Sequence, residues 1–159
     1  MTLIDPPPIS IRDYRPADFE SICAIDRLCF SESIAYTPAE MAFGLAQTGA
    51  VAFVAEQGGR IVGFVLASLG RRSLGHIITI DILPEHRSKG LGKRLMQLAE
   101  EALIRSGATR IMLEVDVHND AGLRFYGALG YSEVRLLRNY YSNGSDAHLM
   151  EKLFQKPPA

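Results

Sequence analysis

The stretch Ile77-Ile-Thr-Ile-Asp-Ile-Leu-Pro-Glu-His-Arg-Ser-Lys-Gly-Leu-Gly-Lys-Arg-Leu-Met96 decides how the rest of the chain is read. Its first part is a strand, because Ile77, Ile78, Thr79, Ile80 and Ile82 are β-branched, and Pro84 ends the ladder. From Leu91 the apolar positions Leu91, Leu95, Leu98, Ala99, Ala102 and Leu103 recur every three or four residues, the period of an amphipathic helix. Between strand and helix runs Arg87-Ser88-Lys89-Gly90-Leu91-Gly92-Lys93. Its glycines permit a tight turn whose amide N–H groups converge with the positive end of the helix, and Arg87, Lys89, Lys93 and Arg94 add full charges. That combination makes a cradle for a phosphate or pyrophosphate. Two familiar alternatives fit poorly: a dinucleotide fingerprint needs a small residue where Leu95 stands, and a P-loop needs Ser or Thr at Arg94.

Outward from this stretch, the upstream chain predicts a strand at 9–14, a helix from Pro16 to Phe30, and a second helix opened by the capping box Thr37-Pro38-Ala39-Glu40 and continuing to Gln47. Val51–Glu56 and Ile61–Leu69 flank the hairpin signal Gln57-Gly58-Gly59-Arg60, so three antiparallel strands precede the glycine turn. Downstream, Gly107 stops the long helix, Arg110–Val117 is a strand, Asn119-Asp120 caps a helix over 121–129, and Tyr131–Leu137 and Ala147–Phe154 are two final strands. The fold class is α/β (α+β): a mixed, mostly antiparallel sheet of about seven strands with helices on both faces.

Length and composition agree with one domain over 1–159, with a core at about 9–154 and flexible ends at 1–8 and 155–159. With 17 basic and 18 acidic residues there is no global field for nucleic acid, and no apolar run approaches a membrane span. A cytoplasmic location is expected by default, and a monomer or a homodimer paired through an exposed final strand. Cys23 and Cys29 lack zinc spacing and read as buried free thiols, and no metal is implied.

The turn Arg87-x-x-Gly90-x-Gly92, set between strand and helix, together with Asn119-x-Ala121-x-x-x-Phe125-Tyr126-x-x-x-Gly130-Tyr131, resembles the GNAT superfamily of acyl-CoA-dependent N-acetyltransferases. Within it, Leu113-Glu114-Val115 and Arg138-Asn139-Tyr140-Tyr141 are similar to protein N-terminal acetyltransferases of the RimI and Ard1 kinds. One departure is visible: the Pro-Trp usual in the first acceptor loop of RimI-type enzymes is replaced by Glu32-Ser33-Ile34-Ala35-Tyr36, and the chain has no tryptophan.

The resemblance implies a splayed sheet, acetyl-CoA as co-substrate and an amine acceptor, here the α-amine of a protein or peptide. It places the pyrophosphate on Arg87, Ser88, Lys89, Gly90, Leu91, Gly92 and Lys93, and the pantetheine along Ile80, Asp81 and Ile82, with Asn119 and Tyr126 beside it. The Ile82 N–H faces the thioester carbonyl. Tyr126 is the general acid for the leaving thiolate. Glu114 and His76 are rival bases, and Phe30, Tyr36, Arg138, Tyr140 and Tyr141 line the acceptor groove. Asp81 is expected to have a structural hydrogen-bonding role. Two other functions stay open: acetylation of a small amine or lysine held by Asp116, Glu32 or Asp146, and non-catalytic acyl-CoA binding.

Overall fold

β-branched and aromatic residues separated by tight turns build the first half of the sheet. In the computed structural model, which describes residues 3–155, β1 (Ile9–Asp13), β2 (Ala50–Gln57), β3 (Arg60–Leu69) and β4 (Leu74–Ile82) pair antiparallel, each with the next. The β2–β3 hairpin turns on Gly58-Gly59, both at positive φ. Between β1 and β2 run the helices α1 (Phe19–Cys29) and α2 (Pro38–Leu45), the latter capped by Thr37 and Glu40 as their spacing predicts. Helix α2 ends two residues before Gln47, because the Gln47 carbonyl accepts the Ala50 N–H and closes the turn into β2.

Strand β4 leads through a short 3-10 turn into α3 (Leu91–Arg105), whose Leu95, Met96, Ala99 and Leu103 are fully buried. Beyond it lie β5 (Arg110–Asp116), α4 (Asp120–Ala128), β6 (Ser132–Leu137) and β7 (Ala147–Leu153). The seven-stranded sheet has the order β1-β2-β3-β4-β5-β7-β6. The exposed final strand of the sequence reading is corrected here: β7 lies between β5 and β6, and the edges are β1 and β6. Of the expected flexible ends at 1–8 and 155–159, residues 1–2 and 156–159 lie outside the described residues. Residues 3–8 are irregular, although the Pro7 carbonyl accepts from Gln57 Nε2 at 2.9 Å.

Two irregularities of β4 shape the site. Leu66 pairs with Thr79 while Ala67 pairs with Ile77, leaving Ile78 as the extra residue of a β-bulge. The bulge puts Ile78 and Thr79 on the same face: Ile78 packs against Gly44 of α2, and Thr79 reaches Asp26 of α1. On the other face Gly75 meets Leu103, and Ile82 meets Gly92 near the start of α3. The second irregularity is the parallel pairing of β4 with β5, which is limited to Leu74, Gly75 and His76 opposite Arg110, Ile111 and Met112. Beyond His76 the two strands part, and the sheet is splayed.

The strand pairing beside the splay depends on Gly63. A Cβ there would stand 2.8 Å from Ile82 Cδ1 and 3.0 Å from the Asp81 carbonyl oxygen. Gly63→Ala therefore pushes β3 off β4, and a loss of about 1–3 kcal/mol is expected, read as a lower denaturant midpoint at unchanged slope.

Candidate active site

The donor side of the site is the β4 edge that faces the splay. The Ile82 carbonyl accepts from Arg87 Nε at 2.9 Å, and the Ile78 carbonyl accepts from the Tyr36 hydroxyl at 3.2 Å. In an extended strand a residue's N–H points the same way as its C=O, so Ile80 and Ile82 offer main-chain donors and acceptors that no strand satisfies. A pantetheine arm carries amides of matching character. Asp81 lies between them, but its main chain is turned to β3, where it pairs with Phe64, and its carboxyl is buried at 2% exposure, so it offers no group to this edge.

The cradle follows directly. Gly90, at φ 79, starts α3 with no side-chain cap, which leaves the N–H groups of the first helical turn open to an anion. Ser88 is also left-handed at φ 63. No heavy atom lies within 4 Å of the position a Cβ would take at Gly90, so there is room for a phosphate against the backbone. Lys89, Lys93 and Arg94 are exposed around it, and Leu91 is buried, contributing only its N–H. Arg87 differs from its neighbours: its guanidinium folds back to the Ile82 carbonyl and to Cys29 Sγ at 3.4 Å.

A cleft of about 360 Å³ lies between the two loops that flank β4 and β5. Phe30, Tyr36, Tyr140 and Tyr141 line it, together with Glu114, Asn119 and Tyr126, whereas Arg138 stands exposed outside it. The loops touch above the cleft, where the Ser142 hydroxyl donates to the Ser33 carbonyl at 3.1 Å. Asn119 caps α4, its side chain accepting the Gly122 N–H at 2.9 Å, which fixes the helix that carries Tyr126.

The two rival bases form one pair. His76 Nε2 lies 2.7 Å from Glu114 Oε2, with Glu114 lining the cleft and His76 behind it and more exposed. Across the cleft, the Tyr126 ring packs edge-on against Phe125 and Tyr131, while its hydroxyl has no hydrogen-bond partner among the described residues. Burial, then the nearby Asp81 and Tyr141, push its phenol well above the ordinary value, so it stays protonated.

Three residues take places at the site that sequence reading did not give them. Asp116 accepts the His118 N–H and the Ser145 hydroxyl, both at 2.9 Å, and so fastens the β6–β7 loop to β5. Cys29, expected to be buried, is only half-buried and lines the cleft. Asp26 is fully buried in α1 between Ile25 and the cleft-lining Cys29. An acid on the apolar face of that helix was the one signal in the sequence that could have found it.

Comparison with known proteins gives the same assignment from outside the site. The Acetyltransferase (GNAT) family model matches residues 19–131. The N-alpha-acetyltransferase of Sulfurisphaera tokodaii is 34% identical over 152 residues, covering 88% of this chain and 90% of the relative. That of Saccharolobus solfataricus is 30% identical over 157 residues, covering 90% and 92%. The crystal structure of Ard1 from Thermoplasma volcanium superposes with a TM-score of 0.85 at 28% identity, covering 92% of this chain and 98% of that one. Family match, splayed sheet and anion cradle agree: the chain belongs to the GNAT acetyltransferase family and is an acetyl-CoA-dependent N-acetyltransferase.

Proposed function

We propose that the acceptor is the α-amino group of a protein or peptide N-terminus. The observation that carries this reading is the contact between Ser142 and Ser33, which roofs a cleft lined by aromatic side chains and leading to Glu114. A chain end can pass under such a roof and be held along its backbone by Tyr36, Tyr140 and Tyr141. Relatives named N-alpha-acetyltransferase support it. The small-amine or lysine reading is weakened because Asp116 and Asp146 already accept hydrogen bonds from Ser145, His118 and Asn139.

The chemistry follows from the acceptor's proton. An α-ammonium loses it near pH 7.7 to 8.0, against about 10.4 for lysine, so a modest base is sufficient. Glu114 takes the proton, and His76 behind it holds the carboxylate in place and passes the proton outward. The neutral nitrogen then forms its bond to the acetyl carbon as the carbon–sulfur bond breaks. The Ile82 N–H steadies the carbonyl oxygen, Tyr126 protonates the departing thiolate, and the second proton of the acylated nitrogen restores the Tyr126 hydroxyl as the neutral amide forms.

A CoA-release screen over peptides with different first residues, an N-capped peptide containing lysine, and spermidine tests the acceptor. Free α-amines are expected to exceed the capped peptide by about tenfold or more in kcat/KM. Equal or better turnover of the capped peptide or of spermidine would refute the reading.

A further inference from the structure

We propose that Asp26, paired with Asp81 across Thr79, is a positioning residue for the amine acceptor, fixing the loop 30–36 against the bulge of β4; this rests on that loop being the acceptor wall.

The contacts run in one line. Asp26 is fully buried, and its Oδ2 accepts the Tyr36 N–H at 2.7 Å. The Tyr36 hydroxyl donates to the carbonyl of Ile78, the bulged residue. Tyr36 is therefore held at both ends, its backbone to α1 and its ring to β4. Thr79 Oγ1 sits 3.1 Å from Asp81 Oδ1 and 3.5 Å from Asp26 Oδ1, and its single proton serves the nearer carboxyl.

That leaves Asp81 Oδ2, buried and with no hydrogen-bond donor facing it among the described residues. Two carboxylates buried together do not both ionise. A proton on Asp81 Oδ2 turns the orphan atom into a donor to Asp26, and the pair then carries one charge, placed where the Tyr36 N–H meets it. Burial, and then Asp26 itself, hold the Asp81 carboxyl well above the usual carboxylate range. The other titratable groups around the pair are Cys29 of α1, Tyr36 of the loop, Arg87 of the cradle turn and Tyr126 of α4. Because the folded value is raised, the hold on the loop is complete at low pH and is lost as pH rises through that value. Ionised Asp81 would repel Asp26 and loosen Tyr36.

The test measures KM for acetyl-CoA and for the acceptor across pH, with a free-amine peptide beginning Met-Leu and, separately, spermidine. Asp26→Ala is expected to raise the acceptor KM about tenfold or more while the acetyl-CoA KM stays within about twofold. Asp26→Asn recovers part of the loss, since its amide oxygen still accepts from Tyr36. Asp81→Asn imitates the protonated carboxyl, so the alkaline rise of acceptor KM present in the wild type disappears. An unchanged acceptor KM in folded Asp26→Ala, or equal rises for both substrates, overturns the proposal. If Asp26→Ala does not fold, identical pH profiles of wild type and Asp81→Asn overturn it. A wild type that acetylates spermidine and no peptide refutes the α-amine reading instead, and the variants then test the loop on spermidine.

Discussion

Replacing Tyr126 by Phe is expected to lower kcat by about 10²- to 10⁴-fold, the usual contribution of a positioned acid or base, with little change in either KM. The substitution removes one oxygen and keeps the ring. Edge-on packing against Phe125 and Tyr131, with centroids 5.1 and 6.2 Å away, survives it. The lost hydroxyl bonds to nothing among the described residues, so no partner is left unsatisfied and stability should stay within about 0.5 kcal/mol. Coenzyme binding is checked independently by thermal unfolding, where CoA at 100 times its dissociation constant stabilises by about 2.7 kcal/mol in wild type and variant alike. Wild-type turnover in the variant would remove Tyr126 from the mechanism.

The second large effect is expected from Glu114→Gln. The amide preserves shape and can still meet His76, which lies 2.7 Å from the carboxylate, but it cannot take a proton. A fall of about 10²-fold or more in kcat/KM for the acceptor is expected near neutral pH. The deficit should shrink as pH rises through 7.7 to 8.0, because the α-amine then arrives already deprotonated and needs no base. His76→Ala discriminates the two partners. If Glu114 is the base and His76 its support, the histidine variant loses less than the glutamate variant, and its loss shows no recovery at high pH beyond that of wild type. The reverse ranking would make His76 the base.

Much of this was legible before any coordinates. The strand Ile77–Ile82, the glycine turn and the helical stripe from Leu91 to Leu103 depend on local periodicity and turn chemistry, and each formed where its residues placed it. The Asn119 cap and the Tyr126 position on α4 were equally local. What was not legible depends on partners far along the chain. The bulge at Ile78 arises from register against Leu66 and Ala67, and nothing in the isoleucine run distinguishes one residue from the next. The approach of Thr79 to Asp26 joins positions 53 apart, and the return of Arg87 to the Ile82 carbonyl depends on the splay, which no single strand encodes. The meeting of Glu114 and His76 was hidden for the same reason: each was visible alone, and only the β4–β5 register brings them together.

The order β5-β7-β6 has a bearing on how the protein is made. Strands β2 to β4 can zip up one after another through short turns, with β1 returning to β2 across the two helices between them. β5 cannot follow suit. It has three residue pairs with β4 to rest on, and its principal partner is translated only after α4, β6 and the long turn beyond it. During synthesis a half-sheet therefore waits with its growing edge unzipped, and the wall bearing Glu114 closes last. Premature termination before β7 would leave β6 unmated and β5 held by three residue pairs alone, a species for chaperones and proteases rather than a weakened enzyme.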